Sequence, residues 1–163
     1  MTNLRRVENR PRIPFKRAAS AESIRHAAAG HGLLRILHVD DDLNQLMFTK
    51  LFLEECGPEV CVESVLIPSE AVGVIEAEEY DCVVSDYQMS DMDGITLTHR
   101  LRERSNIPII IYTGRGSEEV EAVARAAGAD GYVQKEVDPR HYMGLYAQIR
   151  QAVEGKMPFF MKK

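Results

Sequence analysis

The sequence predicts a doubly wound α/β sandwich built on five parallel strands. Three observations carry that expectation. Short apolar runs recur five times, each is followed by a stretch with helical periodicity, and capping or turn residues stand at most of the junctions. Near-continuous apolar strands alternating with helices belong in a parallel sheet covered on both faces, and right-handed crossovers then give an open sandwich.

The elements follow in order. LLRILHV (33–39) is a buried strand that ends at Asp40-Asp41-Asp42. A helical pattern with Leu43, Leu46, Met47 and Leu51 on one face comes next, closed by Cys56-Gly57-Pro58. VCVESV (60–65) is the second strand, and Pro68-Ser69 opens a helix to about Glu79 with Ala71, Val74 and Ile75 inward. DCVVS (81–85) is the third strand and runs into Asp86; Asp93-Gly94 then starts a helix carrying Ile95, Leu97 and Leu101. PIIIYT (108–113) is short and β-branched, as strands favour. Ser117 is an N-cap for a helix over Glu118–Ala127 that Gly128 ends. DGYVQ (130–134) is the fifth strand, and Asp138-Pro139 reads as a cap followed by proline at the first helical position, leading the last helix to about Glu154.

Composition narrows the class. The 163 residues are 45% apolar and 28% charged, which suits one globular domain and excludes collagen-like, coiled-coil and disordered chains. No apolar run approaches the roughly 20 residues that span a bilayer, so no membrane span is expected. The three cysteines, Cys56, Cys61 and Cys82, lack CxxC or zinc-finger spacing and read as inert thiols in a reducing cytoplasm. The net charge of −5 hides an asymmetry, because residues 1–32 carry seven basic side chains against Glu8 and Glu22. Those 32 residues form a basic, flexible arm in this reading, with a boundary at Gly30-His31-Gly32, a domain over 33–154 and a tail over 155–163. A solvated arm is the favoured reading; a nucleic-acid arm and a cleaved targeting peptide are the alternatives, and Ser20 to Ala29 has the pattern of one short helix.

In an open parallel sheet, ligands bind beyond the carboxyl ends of the strands. The residues at those ends here are Asp40, Asp41 and Asp42 after the first strand, Asp86 after the third, Thr113 at the end of the fourth and Lys135 after the fifth. Each alone has a plain structural explanation: a cap, a turn, a β-former, a solvated lysine. Together they make one site. Converging carboxylates repel and need a cation, and an all-oxygen donor set suits Mg²⁺ completed by water and phosphate. A carboxylate beside a metal and a fixed ammonium can attack phosphorus and form an acyl phosphate.

The motifs HVDDD (38–42), SDYQMSDMDG (85–94), IIYTG (110–114) and DGYVQK (130–135) resemble a response-regulator receiver domain of two-component signalling, over about residues 34–154, most like the receivers of archaeal-type sensor systems. The resemblance implies the flavodoxin-like (βα)5 sheet with strand order 2-1-3-4-5. It also implies roles. Asp86 is the acceptor of a phosphoryl group from a histidine kinase phosphohistidine. Asp40 and Asp41 are the acid pair, and Mg²⁺ is bound by Asp41, Asp86 and the backbone carbonyl of Gln88, with Asp40 beside them. Thr113 and Lys135 bind the phosphoryl oxygens, and Tyr132 is the aromatic switch that turns inward as Thr113 moves. Gln88 and Arg115 stand at the positions that tune dephosphorylation. On this reading the chain catalyses only its own phosphorylation and dephosphorylation, in the cytoplasm, and switches a surface for a downstream protein that the residues do not name.

Two residues depart from the family's pattern. Ser90 stands where many receivers have proline, which is expected to loosen the loop, and Glu136 replaces the proline that usually follows the lysine. Two other readings are weighed. A haloacid-dehalogenase-like phosphatase would use Asp40 as nucleophile, but it lacks a later acidic metal motif and leaves Asp86 without a role. A receiver-like docking domain independent of phosphorylation is kept open by Glu136. A flavodoxin-like FMN protein is rejected, since three aspartates after the first strand repel a phosphate. No output domain is expected within the tail, whose Phe159, Phe160 and Met161 either fold back on the body, anchor a partner or begin a linker.

Overall fold

Alternation along each strand decides the architecture. Ile36, Val62, Cys82, Val84 and Ile110 point to one side of the sheet, and Leu37, Val39, Val65, Val83 and Ile109 to the other, all buried. Both faces therefore need helical cover. The computed structural model describes residues 32–156, so the expectations for the basic arm, its short helix and the tail's aromatic residues lie outside the described residues.

The elements are β1 (Leu34–Val39), α1 (Leu43–Glu55), β2 (Val60–Val65), α2 (Ala71–Ala77), β3 (Cys82–Ser85), α3 (Gly94–Arg102), β4 (Ile109–Thr113), α4 (Glu118–Ala127), β5 (Gly131–Gln134) and α5 (His141–Lys156). The strands are all parallel and lie in the order β2-β1-β3-β4-β5, the flavodoxin-like order expected. Leu53 of α1 and Tyr142, Leu145 and Ile149 of α5 cover one face, where the Phe52 and Tyr142 rings stack 4.7 Å apart. Ala71 of α2 and Leu97 and Leu101 of α3 cover the other. Ser117 caps α4 by accepting from the Val120 N–H, and Gly128 closes it with a φ of 100°, a conformation that favours glycine. Among the described residues no helix is long and apolar enough to cross a membrane.

Three local expectations are corrected. First, α1 buries Leu46, Thr49 and Leu53, whereas Leu43, Met47, Phe48 and Leu51 are 44–58% exposed. Apolar residues occupy both sides of this helix, so periodicity alone could not choose the inward face. Second, Pro68–Glu70 is a 3₁₀ turn ahead of α2, which ends at Ala77. Third, the last helix starts at His141 rather than Pro139. The Asp138 carboxylate caps the preceding turn through the Arg140 N–H, and the His141 N–H returns three residues to the Asp138 carbonyl, so the α-helical pattern begins only afterwards.

Register positions the site. Val39 of β1 pairs with Ser85 of β3, so both strands end at one level. The Asp86 N–H donates to the Val39 carbonyl at 2.9 Å, and the Lys135 N–H to the Thr113 carbonyl at 2.8 Å. Asp40, Asp86, Thr113 and Lys135 thereby meet at a single edge of the sheet.

Candidate functional site

Each carboxylate at this edge has a different environment, and the differences follow from its element. Asp40 directly continues buried β1 and is 1% exposed. Both its oxygens are engaged: Oδ1 accepts from the Asp42 N–H at 2.9 Å, and Oδ2 from Lys135 Nζ at 2.7 Å. Burial pushes its carboxyl above the usual carboxylate range, against the opposing hydrogen bond and charge of Lys135. Asp41 is exposed, and its Oδ2 accepts from the Ser90 N–H at 2.7 Å. The Asp42 carboxylate stands outside the acid cluster; it caps α1 by accepting from the Asn44 and Gln45 N–H groups.

Asp86 directly follows β3, with its side chain 13% exposed and 3.4 Å from Lys135 Nζ. Gly94 holds its loop closed from below: a Cβ there would stand 2.2 Å from the Asp86 carbonyl oxygen, which also accepts from Ser85 Oγ. The Lys135 ammonium therefore bridges Asp40 and Asp86. Asp40, Asp41 and Asp86 each bring one oxygen within 4.8 Å of the others. Three converging hard oxygen donors, with Asp41 and Asp86 reachable from solvent, make an acidic pocket that fits a small divalent cation.

Thr113 is buried, its hydroxyl oxygen accepting from the Arg115 N–H at 3.2 Å. Tyr132 sits on edge strand β5, where its hydroxyl donates to the Arg115 carbonyl at 3.0 Å. Gln88 lies exposed two residues beyond Asp86 in the same loop. The structure thus gathers Asp40, Asp41, Asp86 and Lys135 into one cluster, and the Arg115 backbone links Thr113 to Tyr132.

The two departures also resolve. Ser90 ties its loop to Asp41 rather than loosening it, because serine keeps the N–H that proline lacks. Among the described residues no peptide bond is cis. Glu136 is exposed and lines an open groove with Tyr132, Asp138, Arg140 and His141, while Lys135 pairs with Asp40 and Asp86.

Sequence reasoning missed a polar cluster beneath the pocket. His38 is fully buried on the α1/α5 side of β1, with its Nε2 4.0 Å from Asp40 Oδ2 and neither ring nitrogen hydrogen-bonded. Burial, then the nearby charge of Lys135, pushes its imidazole down to about 3. Tyr112 is also buried; its ring lies 5.2 Å from Lys135 Nζ and its hydroxyl meets His141 Nε2. The signal for both was strand alternation, since His38 follows Leu34 and Ile36, and Tyr112 follows Ile110.

Comparison with known proteins agrees with this geometry. The pattern of the response regulator receiver domain matches residues 36–146. A CheY-like receiver domain protein from Methanospirillum hungatei JF-1 is 34% identical, with a TM-score of 0.66 over 76% of this chain and 96% of its own. The receiver domain of the Francisella response regulator 1452 is 27% identical with a TM-score of 0.67, covering 76% and 98%. The cyclic di-GMP phosphodiesterase response regulator RpfG of Xanthomonas campestris is 33% identical over 121 residues, 72% of this chain and 32% of that protein. The uncharacterized transcriptional regulatory protein YclJ of Bacillus subtilis is 29% identical over 120 residues, 74% of this chain. The chain spans about half the length of YclJ, the match covering 51% of it.

Proposed function

The chain belongs to the response regulator receiver domain family of two-component signal transduction, and from that premise we propose that Asp86 accepts a phosphoryl group from the phosphohistidine of a sensor kinase. One observation carries this: Lys135 Nζ bridges Asp40 and Asp86 at the strand edge where Thr113 also ends. An Asp86 oxygen attacks phosphorus, the P–N bond to the histidine breaks, and its electron pair returns to the imidazole nitrogen. Asp41, Asp86 and the Gln88 carbonyl, with Asp40 beside them, would hold Mg²⁺, which supplies positive charge against the entering phosphate. Lys135 turns from Asp40 to a phosphoryl oxygen, and the Thr113 hydroxyl donates to another. Releasing Arg115 and Tyr132 from their present hydrogen bonds then alters the surface of β5 and α4, so that the acyl phosphate biases a two-state element. Water later hydrolyses the acyl phosphate; the chemistry is confined to Asp86.

The competing phosphatase reading needs attack by Asp40. A buried carboxylate with both oxygens engaged is a poor nucleophile, and Asp86 would be left idle. For the kinase, the reading places docking on the exposed stripe of Leu43, Met47, Phe48 and Leu51, which starts one residue past the acidic turn and so continues the site. A cytoplasmic location, where the kinase's phosphohistidine is presented, belongs to the same proposal.

The test is intact mass after incubation with Mg²⁺ and acetyl phosphate. Wild type gains one phosphoryl group, labile in mild alkali, and Asp86→Asn gains none. An adduct that persists in Asp86→Asn, or a wild type that takes up neither phosphate nor beryllofluoride, overturns the proposal.

A further inference from the structure

We infer that Lys50 and Glu54 close the open edge of β2 against strand pairing with a second copy of this chain. Among the described residues β2 pairs with β1 alone, and its six residues make it the longer of the two edge strands, β5 having four. The Glu59 and Val65 carbonyls accept from the Leu34 and Asp40 N–H groups on the β1 side. By alternation the main-chain groups of Val60, Val62 and Ser64 point away from the sheet, as the row that an edge strand offers to another chain. Two side chains of α1 occupy the centre of that row. The Val62 N–H donates to Glu54 Oε1 at 3.0 Å, Lys50 Nζ donates to the Val62 carbonyl, and the ammonium and carboxylate pair with each other.

Self-pairing is the association this arrangement blocks. Turned about a two-fold axis at Val62, two copies of β2 would set Val62 against Val62 and Val60 against Ser64, and antiparallel strands exchange bonds at such facing residues. No foreign sequence is needed, since the outward row is its own complement. The β-branched Val60, Val62 and Val65 favour the extended backbone that pairing requires. To add a strand here, a second copy must strip the ammonium and the carboxylate from Val62 and leave both at the new interface, away from the groups that now satisfy them. The i, i+4 spacing on α1 lets one helical turn serve the N–H and the carbonyl of a single residue. Lys50 and Glu54 belong neither to the acid cluster nor to the exposed apolar stripe of α1, so the guard is separate from phosphoryl chemistry and kinase docking.

The experiment compares the full chain as wild type, as Lys50→Ala/Glu54→Ala, and as that double variant with Ser64→Pro added. Amide hydrogen exchange at low concentration reads the guard: the Val62 N–H exchanges about tenfold or more faster in the double variant than in wild type. Sedimentation velocity at rising concentration reads what the guard prevents. The double variant self-associates where wild type is unchanged, and Ser64→Pro, which removes an outward N–H and spares the β1 ladder, reverses the association. An unchanged Val62 exchange rate overturns the inference, and so does a freed Val62 amide with no added self-association. Association that persists with Ser64→Pro places the contact elsewhere and overturns it too. If the proline variant fails to fold, the Ser64 amide of the double variant decides the same point: it exchanges more slowly on association if β2 is the contact, and an unchanged rate overturns the inference.

Discussion

His38 is the residue whose environment most contradicts its chemistry. A fully buried imidazole with no hydrogen bond at either nitrogen is held neutral down to about pH 3, against an ordinary value of 6.5. The unfolded chain takes up that proton first as pH falls, so the native state loses stability from about pH 6.5 downwards. The loss approaches about 1.4 kcal/mol per pH unit, or roughly 2 kcal/mol by pH 5. Asp40 acts in the opposite direction, its raised carboxyl favouring the native state as acid is added, so a paired comparison is needed. Urea midpoints of metal-free protein at pH 7 and pH 5 should fall steeply for wild type and much less for His38→Leu; parallel profiles would contradict the assignment. The histidine's inward direction was legible from its alternation with Leu34 and Ile36. Its isolation was not, because that depends on what α1 and α5 place over the strand.

Helix α1 shows why an element can be located from sequence and still be turned the wrong way. Its Asp42 cap and its closure near Cys56 were both readable. Its face was not, since Leu43, Leu46, Met47, Phe48, Leu51, Phe52 and Leu53 surround the axis, and only packing against β1, β2 and α5 selects Leu46 and Leu53. The two sides should respond differently to substitution. Leu53→Ala removes a fully buried side chain and should cost about 2–5 kcal/mol of stability. Phe48→Ser, on the exposed stripe, should stay within about 0.5 kcal/mol. It should nevertheless slow phosphotransfer from the kinase and leave labelling by acetyl phosphate unchanged, which separates docking from chemistry. Equal losses with both donors would place Phe48 in the pocket instead. The start of α5 was misjudged for a similar reason: Asp138 and Pro139 carry helix-start chemistry, but here they close a tighter turn first.

At the scale of the molecule, parallel strands and crossover helices bring every strand's carboxyl end to one edge, so residues from 40 to 135 share a pocket. The acids and the lysine could be placed there from strand ends alone. The strand order could not; periodicity is the same for every permutation of the sheet, and the order came from the motifs' resemblance to receivers. The ammonium of Lys135 above the buried Tyr112 ring gives this arrangement an optical consequence. The chain has six tyrosines and no tryptophan, so its near-ultraviolet circular dichroism comes chiefly from phenol rings held in fixed surroundings. A cation 5.2 Å from one such ring perturbs it, and the proposed turn of Lys135 toward a phosphoryl group would change the perturbation. Beryllofluoride with Mg²⁺ should therefore alter the tyrosine band of wild type and leave Asp86→Asn unaltered; an unchanged wild-type band would mean that Lys135 stays over the ring. Under the proposed acceptor role of Asp86, that band would serve as an unlabelled spectroscopic gauge of acceptor occupancy, readable in real time.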